Sequence, residues 1–203
     1  FLDSDDIWTN NYLEELEKIF DSKKEIDAVS VGGYKFGNNR DNGLITSWQK
    51  EGLLSLNAIS WNVIGCPSGF SYRRSLKKFA IFEENLRWCE DYLFYLYLMR
   101  KPDLRIYRSN SLHYWYRISN TQITHKPEHM MLENSKKIFM DIFKKDICNS
   151  IGLKYSINVY LQSNRSFNKA IGKILLPYTI LLTIISPGWL IGTVFKVFKT
   201  KRF

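Results

Sequence analysis

The chain has 203 residues, 45% of them hydrophobic and 15% aromatic, which suits a packed core and excludes an intrinsically disordered chain. Its three cysteines, Cys66, Cys89 and Cys148, are widely spaced with no CxxC pair and no histidine at ligand spacing, which excludes a disulfide scaffold and a zinc finger and points to a reducing compartment. The formal charge of +9 belongs to the tail: seven of the 29 Lys and Arg residues lie from Arg165 onward with no acidic residue among them, so the body is nearly neutral and lacks the basic face of a nucleic-acid binder.

Phe1 and Leu2 read as the last two positions of a buried strand that runs into acidic residues. A strand with no preceding partner cannot satisfy its ladder, so an N-terminal segment is expected before Phe1, and the stretch alone is expected to be poorly stable and inactive. Tyr12, Leu13, Leu16, Ile19 and Phe20 recur at helical spacing behind Asn10 or Asn11 as N-cap. Ala28 to Phe36 alternates as a strand, and Gly37 to Gly43 holds turn residues. A small-residue loop follows at Gly65 to Gly69, then a strand at Phe70 to Arg73 leading to a helix capped at Ser75. The helix from Glu90 to Met99 is apolar all round and therefore central. Tyr107 to Tyr116 is strand-like, and Glu128 to Ile147 repeats Met131, Ile138, Phe139, Ile142 and Phe143 at helical spacing. Strands alternating with helices predict an α/β body over residues 1–126, followed by a helical extension over 127–163 and a basic, apolar tail over 164–203.

Within that tail, Ile174 to Phe195 is 22 residues without a charge, flanked by Lys173 and by Lys196, Lys199, Lys201 and Arg202. The length could span a bilayer, but Pro187 and Gly188 interrupt it and both flanks are basic, so a re-entrant or interfacial hairpin is expected. Each flanking cation near anionic headgroups contributes about 1 kcal/mol. The alternative is a helix pair packed on the protein itself.

Two acidic constellations stand out. The first places Asp3, Asp5 and Asp6 in one four-residue run, where carboxylates repel one another unless a cation or hydrogen-bond donors are present. Hard oxygen ligands of this kind suit Mg²⁺ or Mn²⁺ bound jointly with phosphates, while an acidic turn capping the next helix is the plainer alternative. The second is Glu90 and Asp91 at the start of the apolar helix, where burial and mutual repulsion raise a carboxyl group toward the range of a general base. The plainer alternative is a pair of acids in the favourable first helical turn.

In order and spacing, four segments resemble the C-terminal half of a family 2 glycosyltransferase of the inverting GT-A type. They are Phe1 to Asp6 followed by Trp8, the Arg73 to Ser75 segment, the helix opening Trp88, Cys89, Glu90, Asp91, and the stretch Tyr116 to Thr124. The resemblance implies a partial GT-A domain lacking its N-terminal strands, with the tail as membrane attachment. It makes Asp3, Ser4 and Asp5 a DxD motif, with Asp5 holding a divalent Mg²⁺ or Mn²⁺ between the donor's phosphates and Asp3 assisting or binding the ribose. Asp91 would deprotonate the acceptor hydroxyl and Glu90 would position acceptor or base. Arg117 and His125 would close over the diphosphate, and Ser68 and Gly69 would contact the acceptor. The implied partners are a nucleotide-sugar donor, a glycan or lipid-linked acceptor and the cytoplasmic face of the membrane, and the implied role is bacterial cell-surface polysaccharide synthesis.

The sequence departs from the family in two places: the N-terminal half that recognises the nucleotide base is missing, and Tyr114, Trp115, Tyr116, Arg117 stand where processive synthases carry QxxRW, which favours single-sugar transfer. Two other readings compete. A phosphatase of the haloacid-dehalogenase type would use Asp3 as a nucleophile but leaves the Glu90 and Asp91 helix unexplained. A catalytically silent, membrane-attached fragment is the second. His113 in its aromatic strand is expected to be structural, and His129 receives no role.

Overall fold

The computed structural model describes residues 1–37, 43–45, 50–60, 64–119, 122 and 128–170. Two long parallel strands form the spine, β2 at Ala28–Gly37 and β6 at Ile106–Ile118, paired from Ala28 with Ile106 to Gly37 with Ile118. Short antiparallel strands edge them. β1 (Ile7–Trp8) and β4 (Gly52–Leu53) lie against β6, while β3 (Leu44–Ile45) and β5 (Phe70–Tyr72) lie against β2.

The parallel register slips between Ser30 and Gly33, where β6 carries extra residues around Ser109 to Ser111. The Ser109 hydroxyl accepts the Ser111 backbone N–H at 3.1 Å, replacing a ladder bond that the bulge removes. Just past the bulge, the Tyr114 ring lies on two glycines. A Cβ at Gly33 would stand 2.7 Å from Tyr114 Cε1, and one at Gly69 would overlap the same atom.

Helix α1 (Tyr12–Ser22) buries Tyr12 and Leu16 on the sheet. Asn11 occupies its N-cap position without a side-chain bond, and Arg73 closes its other end: Nη2 donates to the Phe20 carbonyl at 2.7 Å, and Nε to Ile26 at 2.8 Å. Helix α3 (Glu90–Leu98) is buried from Tyr92 through Leu98, as its unbroken apolar sequence requires. Its outer neighbours are α4 (His129–Ile142), continued by a π turn at Phe143–Ile147, then α5 (Cys148–Ile151) and α6 (Leu153–Ala170). Tyr92 stacks on Phe139 and Phe139 meets Phe167 edge-on, so the helical extension completes the same core as the sheet. Helix α6 runs unbroken across position 163, where the sequence placed a boundary.

The carbonyls of Ser60, Ile64 and Gly65 are each engaged by side chains of neighbouring elements. Tyr92 donates to Ser60, Ser30 and Arg108 to Ile64, and Tyr95 to Gly65. Arg108 is itself buried, and among the described residues its Nη1 meets neutral acceptors, including Ser30 Oγ at 2.8 Å and the Val31 carbonyl at 3.1 Å.

Two local expectations are corrected. Phe1 and Leu2 form no strand and are exposed, because no described strand lies beside them to complete a ladder. Phe1 instead sets its ring edge-on to Phe82 and Phe94. Ser75 caps no helix and sits in a single 3₁₀ turn, Arg74–Leu76 (helix α2 is the short Leu56–Ser60 segment upstream). From this turn to α3 the buried positions are Leu76 and Leu86, ten residues apart, so the stretch lacks the repeating apolar face that would support a helix.

Candidate functional site

The acidic run forms a turn, with the Asp6 N–H bonded to the Asp3 carbonyl at 3.1 Å, and it closes on a second turn at Pro67–Gly69. Ser68 Oγ accepts the Asp3 N–H at 3.1 Å and donates to Asp6 Oδ2 at 2.6 Å, while the Ser68 carbonyl accepts Trp8 Nε1 at 2.8 Å. From the other side, the Arg117 backbone N–H donates to Asp6 Oδ1 at 3.0 Å and its Nε to the Asp5 carbonyl at 2.9 Å. The Arg117 guanidinium lies over the Phe36 ring. Asp3 and Asp5 remain exposed at the tip of this turn. Partial burial raises the Asp3 carboxyl above its ordinary value, reinforced by Asp5 and Glu90 and opposed by the Ser68 hydrogen bond.

Helix α3 starts from Cys89, whose φ of 62° turns the chain sharply into the first turn. Glu90 faces solvent and Asp91 is half-buried, its Oδ1 accepting the Tyr92 N–H at 2.6 Å. Burial lifts the Asp91 carboxyl to about 6, with the charges of Glu90 and then Asp3 adding to the rise and the Tyr92 N–H opposing it. Tyr95, one turn on, is raised by burial and also senses both Asp91 and Asp3.

The structure therefore brings the Asp3 turn and the α3 start into one electrostatic neighbourhood, although they are separated by more than eighty residues in sequence. The ring contact of Phe1 with Phe94, 5.7 Å between centroids, joins the same two segments physically. Arg117, near the end of β6, stands beside Asp5, with its Nε on the Asp5 carbonyl. Ser68 and Gly69 are fully buried, and the Ser68 hydroxyl is turned to the acidic run and not to solvent. His125 lies outside the described residues, as does Ile174 to Phe195; among the described residues no helix is long and apolar enough to cross a membrane. His113 is buried, its Nδ1 3.0 Å from Thr9 Oγ1, and burial lowers its affinity for a proton.

The sequence shows Asp6 within the acidic run without distinguishing its role from that of its neighbours, and it does not point to Tyr95. A signal for Asp6 exists in its position directly before the Ile7–Trp8 strand, where a side chain turns inward while its neighbour Asp5 turns out. Tyr95 carries no comparable signal, being one aromatic among many in α3.

Among the described residues no group of three His, Cys, Asp or Glu side chains forms a metal cage. Asp3 and Asp5 offer two exposed, mutually repelling carboxylates, the donor set suited to a hard cation that takes its remaining ligands from phosphate and water.

The elements and their order define a mixed α/β domain whose sheet and helices resemble part of a solved structure. The likeness is to S. aureus TarS. The crystal structure of TarS 1–349 with UDP-GlcNAc superposes with a TM-score of 0.58 at 19% identity, over 82% of this chain and 48% of that one. The same TarS segment with UDP gives 0.55 at 20%, over 83% and 46%, and the TarS structure without a stated ligand gives 0.55 at 20%, over 82% and 28%. The chain thus spans about half the length of TarS 1–349. No family profile matches the chain, and no curated protein matches it.

Proposed function

We propose that the chain is part of a metal-dependent glycosyltransferase that moves one sugar, with inversion, from a nucleotide donor to a hydroxyl of a glycan or lipid-linked acceptor in cell-surface polysaccharide synthesis. The observation that carries this reading is the pairing of an exposed dicarboxylate turn with a half-buried carboxyl raised to about 6, Asp3 acting on Asp91 and Glu90 acting on Asp3. The fold shared with a protein whose crystals hold UDP-GlcNAc and UDP supports a UDP-linked donor.

In this reading the acceptor oxygen attacks the anomeric carbon from the face opposite the diphosphate, the carbon–oxygen bond to the phosphate breaks, and the acceptor proton passes to Asp91. A carboxyl near 6 is ionised at neutral pH and still basic enough to take that proton. Glu90 orients acceptor and base. Asp5, with Asp3, would hold the divalent cation, which when bound neutralises charge on the departing diphosphate. Arg117 adds a positive charge beside the same turn, and His125 is assigned to the diphosphate. Ser68 and Gly69 act behind the acidic turn, and the apolar tail attaches the protein to the cytoplasmic membrane face.

The test is a UDP-release assay on the full-length protein with UDP-GlcNAc, Mn²⁺ and a panel of glycan and lipid-linked acceptors. Release that depends on acceptor, with a product of inverted anomeric configuration, is the expected result. A covalent aspartyl phosphate on Asp3 would replace this reading with the phosphatase one.

A further inference from the structure

Asp6 is the member of the acidic run that is withdrawn from solvent, at 8% exposure. Both its oxygens are occupied, Oδ2 by the Ser68 hydroxyl and Oδ1 by the Arg117 N–H. Withdrawn from solvent and with each oxygen accepting a hydrogen bond from the protein, this carboxylate serves the turn and not the open face where Asp3 and Asp5 stand. The Ser68 hydroxyl has one proton, and giving it to Asp6 leaves its lone pairs for the Asp3 N–H, so the bonds run in one direction from Asp3 through Ser68 to Asp6. The other oxygen leads through Arg117, whose Nε returns to the Asp5 carbonyl. Asp3, Asp5 and Arg117 are thus tied by two routes that meet at one buried carboxylate. Two acceptor atoms matter to the geometry: an amide in its place accepts at its oxygen alone, and its NH₂ group would face either the Ser68 hydroxyl or the Arg117 N–H, so one of the two bonds cannot be kept as it is.

We infer that Asp6 is a positioning residue, which acts through Ser68 and the Arg117 main chain to set the spacing of Asp3, Asp5 and Arg117 and so shapes the place where a nucleoside diphosphate and its cation bind. The identity of that ligand rests on the sugar-transfer reading, whereas the latch rests on the hydrogen bonds alone.

The experiment compares Asp6→Asn, Ser68→Ala and the double variant in the full-length protein, using UDP with Mn²⁺ in calorimetric titration. Each single variant is expected to weaken binding about tenfold or more, with the double variant no weaker than the worse single one because both changes open one latch. In turnover, the donor KM should rise while the acceptor KM and the pH limb near 6 stay in place, since Asp91 is untouched. A purely structural role would lower the bound stoichiometry and kcat with both KM values unchanged, and that result overturns the inference. Affinities within about twofold of wild type, or single losses that multiply in the double variant, also overturn it. Amide exchange separates the two layers: the Asp3 N–H should exchange about tenfold faster in Ser68→Ala whether or not UDP binds. Unchanged protection sinks the latch, while a wild-type protein with no affinity for UDP sinks only the transfer reading.

Discussion

The two acidic clusters are built in opposite ways. The Asp3 to Asp6 turn lies at the rim of the sheet and is shaped by hydrogen bonds, with its buried acid held from both sides and its outer acids left to solvent. The Glu90 and Asp91 pair stands at the mouth of a helix whose next seven residues are all buried, and there the apolar surroundings raise the carboxyl. Exposed carboxylates on a hydrogen-bonded turn suit the holding of charge. A carboxyl pressed toward its neutral form suits the taking of a proton. Chemically similar residues are divided into two roles by what surrounds them.

The sharpest way to break this contrast is Asp91→Asn in the full-length protein. It should lower kcat by roughly 10² or more, because the proton acceptor is removed, while leaving UDP binding intact. Turnover within a few-fold of wild type would end the base assignment. On the other side, Asp5→Asn or chelation of divalent ions should lower kcat/KM on the order of 10²-fold, with loss of UDP affinity, as removal of a cation beside a departing diphosphate requires. An enzyme indifferent to chelator would refute that side alone.

The pH dependence of rate sharpens the comparison. With Asp91 near 6, kcat/KM should climb with pH up to about that value and then level off, and the limb should vanish in the residual activity of Asp91→Asn. Stability should move the other way. The folded Asp91 binds its proton more tightly than the ordinary carboxyl at 3.8, so wild-type stability declines as pH rises from about 4 to 6 and the penalty persists above it. Asp91→Asn removes that penalty, and its Tm should exceed that of wild type at pH 7 to 8 and match it near pH 4. A lower Tm at pH 7 would show that the carboxylate is held by a partner and not strained by burial. The smallest effect expected is Gly69→Ala, which should cost about 1–3 kcal/mol in denaturant unfolding as the new methyl meets the Tyr114 ring.

Much of the scaffold could be read along the chain. The alternation of Ala28 to Phe36 and the aromatic run around Tyr107 to Tyr116 correspond to β2 and β6, because a long buried strand leaves a strong local pattern. The all-apolar face of α3 likewise announces its central place. Of the short edge strands, β5 falls within the strand expected at Phe70 to Arg73, whereas β1, β3 and β4 are two residues each, too short to carry a periodicity, and exist through their partners in the sheet. The same limit applied to the site. Asp3, Asp5 and Asp91 could be singled out by residue type and spacing, but the inward turn of Asp6 depends on Ser68 and Arg117, which lie 62 and 111 positions away. Ser68 belonged to a noticed loop, yet only the fold shows its hydroxyl engaged from behind the acidic turn. Arg73, part of the resembling segment, proves to close the end of α1.

The flat seating of Tyr114 on Gly33 and Gly69 welds the spine of the sheet to the turn that carries Ser68. At Gly69 the obstacle to a methyl is chiefly the phenol ring, whereas at Gly33 the Tyr114 backbone carbonyl bars it as well. Sequences descended from a common ancestor should therefore keep glycine at 33 whatever stands at 114, and should gain bulk at 69 only together with a smaller residue at 114.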